Sequence, residues 1–181
     1  MVLTKKLLTS CLLVVCFLAL MFTANAQNKS YIANHKAIAT VLSKRYGIPA
    51  AVILAVAAVE SSGGKCPVAK VLNNHFGMEG KNSFVNWKGH TSRYKQYANV
   101  FASYLDFCNV ISRKHFYKRL KNNEDNVAWV KAMSHAGYSE VPEEWEKKVF
   151  GMLHAIHPGS ARPKSVKIHT SPALASVTRG S

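Results

Sequence analysis

The segment that decides the fold is Ala50-Ala51-Val52-Ile53-Leu54-Ala55-Val56-Ala57-Ala58-Val59-Glu60-Ser61-Ser62-Gly63-Gly64-Lys65. Ten consecutive apolar residues follow Ile48-Pro49, and Pro49 suits the first turn of a helix. A helix apolar on every face is a buried helix. This one ends in a glutamate followed by two serines and two glycines. Burial disfavours the charged carboxylate, and so does the negative end of the helix dipole. Both raise the pKa of Glu60, and a carboxyl kept protonated near neutral pH is what a general acid requires. The paired glycines allow a polymer to approach the backbone closely. The plainer alternative is a helix end frayed into solvent.

Helices are expected on both sides. Ser30 to Tyr46 carries apolar residues at Ile32, Ile38, Val41 and Leu42, and Gly47 is a natural stop. Residues 67–72 read as a short helix. Val100 to Ile111 reads as another, with Phe101, Tyr104, Leu105 and Cys108 on one stripe. Asn126 caps a helix to Ala136, and Pro142 opens a last one to about Ile156. Between them, Asn73 to Tyr97 collects turn residues and aromatics without a helical period, which predicts a loop or small β-hairpin lobe. The expected class is mainly α (α+β).

The termini differ from this middle. Lys5 and Lys6 precede an apolar run from Leu7 to Phe22, and Ala24-Asn25-Ala26 fits a small-x-small cleavage pattern. Residues 1–26 therefore read as a secretory signal, the alternative being an uncleaved anchor; the run is short for a membrane span. After cleavage no stable membrane anchor remains. Residues 27–157 form the expected domain, and 158–181 a basic, disordered tail rich in Pro, Ser, Thr and Gly.

The whole chain has 181 residues, 24 Lys+Arg and 9 Asp+Glu, a formal charge of +15. That suits an anionic partner. Export points to the cell envelope, periplasm or exterior, and away from nucleic acid, although Arg113 to Arg119 interleaves charge and aromatics. It also places Cys66 and Cys108 where a disulfide can form; two buried thiols are the alternative. His154 and His157 lack further ligands at metal spacing, so no metal and no cofactor is expected. A monomer is the simplest assembly.

The residues also carry a family resemblance. Glu60 to Lys65 is similar to an E-S-G-x-G segment, Asn73-Asn74-His75-Phe76-Gly77-Met78 to N-N-x-F-G-I, and Trp129 with Ala136-Gly137-Tyr138 to a W-x-x-A…A-G-Y stretch. Tyr94, Phe101, Tyr104 and Phe107 keep compatible spacing, and Pro142 and Trp145 echo P-x-Y. In this order they resemble the glucosaminidase family of peptidoglycan hydrolases (glycoside hydrolase family 73, mannosyl-glycoprotein endo-beta-N-acetylglucosaminidase-like). The resemblance implies a lysozyme-like helical body with a small β-hairpin lobe and a groove between them. It implies cleavage of the β-1,4 bond after N-acetylglucosamine in peptidoglycan glycan strands. Glu60 would be the proton donor, and Tyr138 would position the reacting sugar.

The second carboxylate that many glycosidases use is harder to find. Residues 81–101 contain no Asp or Glu, and Glu79 is the nearest candidate. Either Glu79 swings in to activate water, or the substrate's N-acetyl group acts as nucleophile, or the second group is missing. Asn74, Phe76, Tyr94 and Trp87 are candidate sugar-binding residues, by hydrogen bonding and ring stacking. Trp129 and Trp145 fall on helix stripes and read as core. The rival functions are a lytic transglycosylase acting at muramic acid, a non-catalytic glycan-binding module, and a cationic antimicrobial.

Overall fold

The computed structural model describes residues 28–83 and 92–157. The signal segment, Trp87 and the basic tail lie outside the described residues. Seven helices occur among the described residues: α1 (28–46), α2 (Ala50–Glu60), α3 (Pro67–Leu72), α4 (Val100–Ser112), α5 (Tyr117–Leu120), α6 (Asn126–His135) and α7 (Pro142–Ile156). None of them is long and apolar enough to cross a membrane.

Helix α2 is the axis of the core. Ala51 to Ala58 are all buried, and α2 packs against α7 and α6. Around it close Leu42, Tyr104, Phe107, Trp129, Met133, Val149 and Leu153, each sealed from solvent. Burying a side chain of this size contributes about 1.5–3 kcal/mol. That is why a segment with no amphipathic face can hold the centre. Phe101, expected on the apolar stripe of α4, is instead exposed.

Local chemistry sets the helix ends. Asp125, rather than the expected Asn126, caps α6: its Oδ1 accepts from the N–H of Val127 and of Ala128 at 2.9 and 3.1 Å. Asn99 caps α4 through Ala102 N–H at 2.9 Å. Gly47, at φ +66°, turns the chain from α1 into α2, and its carbonyl accepts from Asn122 N–H at 2.8 Å.

The small β-hairpin lobe is not supported. Among the described residues there is no strand, only an isolated antiparallel bridge between Glu79 and Tyr94. Backbone pairing stays short: Gly80 N–H donates to Arg93 O at 3.0 Å and Lys95 N–H to Met78 O at 2.8 Å, and side-chain amides add further bonds to the same stretch. Asn74 Nδ2 donates to the carbonyls of Met78 and Lys95, both at 2.8 Å. Asn82 Nδ2 donates to those of Ser92 and Tyr94.

Of the two readings for Cys66 and Cys108, a disulfide or two separate thiols, the structure has the second: both cysteines are free. Cys66 Sγ accepts from Ala69 N–H at the start of α3, at 3.4 Å. Cys108 is sealed in the core on α4, and burial pushes its thiol up to about 12. The two thiols serve separate packing roles, and sequence spacing alone does not pair cysteines.

Candidate active site

Glu60 closes α2, where the following chain turns sharply through left-handed backbone at Ser62, Gly63 and Gly64. Ser61 holds that turn: its hydroxyl donates to Ala57 O at 2.6 Å and accepts from Gly64 N–H at 2.8 Å. The Glu60 carboxyl is half-buried, and its Oε1 accepts from the indole Nε1 of Trp145 at 2.7 Å. Its Oε2 faces Gly77, where an added Cβ would lie 3.8 Å away. Burial raises the Glu60 pKa; the Trp145 bond and the positive charge of Lys148 oppose the shift without cancelling it. The environment thus favours the protonated form.

Three elements converge on this carboxyl. Helix α7 delivers Trp145 one turn after Pro142. The link after α6 delivers Tyr138, whose ring lies 5.2 Å from Trp145, centroid to centroid, and whose hydroxyl reaches Phe76 O at 3.5 Å. Burial, then the nearby Glu60 charge, raise the Tyr138 phenol well above its ordinary value, so it remains a hydrogen-bond donor. The loop at 73–78 delivers Gly77, at φ +66°, a conformation that suits glycine.

That loop is held from beneath. Asn74 Oδ1 accepts from Phe76 N–H and Met78 N–H at 3.3 and 3.1 Å. His75 Nδ1 meets the Tyr31 hydroxyl at 2.7 Å, and that hydroxyl meets Tyr104 Oη at 2.8 Å. Ser103 Oγ accepts from His75 N–H at 3.0 Å. Burial, with the charge of His35, lowers the His75 pKa to about 4, so the ring is neutral.

The structure distributes the candidate residues unevenly. Glu60 and Tyr138 come together. Asn74 is 1% exposed and its side chain is spent on the backbone, so it shapes the loop rather than meeting a sugar. Phe76 is 3% exposed and stacks on Phe107 at 4.1 Å, so its ring is core rather than a stacking platform. Tyr94 is half-buried and lines an apolar cavity of about 200 Å³ with Pro67, Val68 and Val71 on α3. Glu79 is exposed and pairs with Arg93 Nε at 3.2 Å. Asp106 takes Lys95 and Tyr97 at 2.8 and 2.6 Å; burial raises its pKa, but these bonds overcome that and hold it low.

Trp145, which falls on a helix stripe and reads as core from sequence, has a second role. It is buried, yet its N–H is the group that holds Glu60. A buried indole N–H normally finds a partner, and that rule was the available signal. No group of three or more His, Cys, Asp or Glu able to hold a metal occurs among the described residues.

Solved structures share this fold. The glycoside hydrolase domain of FlgJ from Salmonella typhimurium matches with a TM-score of 0.58 and 21% identity, covering 71% of this chain and 87% of its own. The catalytic domain of the autolysin Auto from Listeria monocytogenes matches at 0.58 and 18%, covering 73% and 85%. A peptidoglycan hydrolase from Sphingomonas sp. A1 matches at 0.54 and 15%, covering 76% and 99%. The helical body is therefore of the lysozyme-like kind. No curated protein sequence gives a significant match. The family model described as mannosyl-glycoprotein endo-beta-N-acetylglucosaminidase matches residues 36–157, which span α2, the 73–78 loop and Tyr138. With most of its length matched, this chain belongs to the glucosaminidase family of glycoside hydrolases.

Proposed function

We propose that the protein is an exported peptidoglycan hydrolase. It cleaves the β-1,4 bond after N-acetylglucosamine, with Glu60 as the single essential carboxyl. One observation carries this reading: a half-buried glutamate at a helix end, its pKa raised, one oxygen held by Trp145 and the other facing Gly77. The solved relatives named as peptidoglycan hydrolase and autolysin agree with it.

The chemistry follows from that geometry. Protonated Glu60 gives its proton to the glycosidic oxygen as the bond to C1 breaks. The 2-acetamido oxygen of the same sugar attacks C1 and forms an oxazolinium ring. The Glu60 carboxylate then takes a proton from water, and the resulting hydroxide opens the ring at C1. Tyr138, kept protonated, donates a hydrogen bond to the acetamido group and aligns it. Positioned acid catalysis of this kind contributes about 10²–10⁴-fold. Substrate assistance is preferred because the other carboxylates are engaged or solvated: Glu79 with Arg93, Asp106 with Lys95, Glu146 with Lys131, Asp125 at the α6 cap, and Glu124, Glu140, Glu143 and Glu144 exposed. For Glu79 to serve as base it must leave Arg93 and swing inward.

The N-terminal residues 1–26 are proposed to direct export, and the chain is proposed to work as a monomer in the envelope. Mass spectrometry of digested peptidoglycan tests the bond specificity. Reducing N-acetylglucosamine ends are expected. Anhydro ends at muramic acid would make the protein a transglycosylase instead.

A further inference from the structure

A groove of about 380 Å³ lies beside the Glu60 turn and takes no part in the chemistry above. Its walls include Val59, Ser62, Lys148, Gly151 and Met152, so it joins the end of α2 and its turn to α7. Two features mark it as space for a ligand. Gly151 sits inside α7, where glycine weakens a helix. Its backbone is not left-handed, and a Cβ placed there meets nothing within 4 Å. Neither packing nor conformation requires glycine at 151, and its effect is to leave the groove open. Lys148, one turn beyond Trp145, is exposed at the groove and forms no ion pair among the described residues. Its charge nevertheless reaches Glu60.

Small walls at Ala58, Gly63 and Gly151, the polar Asn28 and Ser62, and one ammonium at the edge suit a short acidic peptide with small side chains. We propose that this groove binds the carboxylate-bearing peptide substituent of the glycan strand, seating the strand against Glu60. The assignment rests on peptidoglycan being the substrate.

Binding is the direct test, because it needs no turnover. Calorimetry on the full chain would compare a disaccharide carrying the acidic peptide with the same disaccharide lacking it. The peptide-bearing probe is expected to bind about tenfold or more tightly, a gap that Gly151→Leu abolishes and Gly151→Ala, the fold control, keeps. Lys148→Met should weaken binding of the peptide-bearing probe alone. Gly151→Leu should still cut peptide-free strands at the wild-type rate. Equal affinity for the two probes, or a gap that survives Gly151→Leu, overturns the assignment. If no variant cuts any strand, the hydrolase reading fails, while the calorimetry still decides the groove.

Discussion

Trp145 and Glu60 lie 85 residues apart in sequence and 2.7 Å apart in space, the indole N–H of one donating to the carboxyl of the other. The bond does two things at once. It fixes which oxygen of Glu60 faces the loop at Gly77, and it stabilises the charged carboxylate, limiting how far burial can raise the pKa.

Replacing Trp145 by Phe keeps the ring bulk and removes the donor. The Glu60 pKa should then rise further. A general acid must be protonated, so activity falls as pH climbs through its pKa. The alkaline limb of the pH–rate profile should therefore move to higher pH in Trp145→Phe. The maximal rate should fall about tenfold as the carboxyl loses its orientation. An alkaline limb that stays in place would show that this bond does not tune the acid.

His75 makes the protein sensitive to acid. Its folded pKa is about 4, below the ordinary 6.5, because the ring is buried against Tyr31, Tyr104 and His35. The folded state thus binds fewer protons than the unfolded chain between those values. Stability falls as pH drops from about 6.5 to about 4, by roughly 2–3 kcal/mol. Urea midpoints at pH 7 and 4.5 measure this. The wild type should lose more than His75→Gln over that interval, and equal losses would remove His75 as the cause.

Gly47 tests the other end of α2. At φ +66° it lies against Asn122, and an added Cβ would sit 2.3 Å from Asn122 Oδ1 and 2.9 Å from its backbone nitrogen. Gly47→Ala should cost about 2–3 kcal/mol, from backbone strain and from the collision together. Thermal denaturation reads the loss, and activity per folded molecule should not change. A midpoint within a degree of the wild type would contradict this packing.

The helical body was largely legible because burial leaves a direct trace in sequence. The all-apolar run before Glu60, Gly47 as a stop and Pro142 as a start each have a local cause, and α2 and α7 begin and end where those causes place them. Helix α5 was missed: four residues are too few for a period to show. The 73–97 region misled for a different reason. Its turn residues and aromatics fit a hairpin, but among the described residues the pairing stops at one bridge, Glu79 with Tyr94, and Asn74 and Asn82 add side-chain amides to the same stretch, an arrangement that composition does not reveal. Asn74 and Phe76 looked like sugar ligands because polar and aromatic side chains serve both loops and ligands. Only the fold shows their groups already engaged. Trp145 was legible as core and not as the partner of Glu60, since helical position gives burial but not what a side chain meets across the fold.

The most direct test of the central claim is the Glu60→Gln variant. It keeps the shape and can still meet the Trp145 N–H through its amide oxygen, but it has no proton to give. Digestion of purified peptidoglycan should fall by about 10²–10⁴-fold, with glycan binding and thermal stability retained. Cleavage within a few-fold of the wild-type rate would contradict the account, because the proton would then have to come from another group.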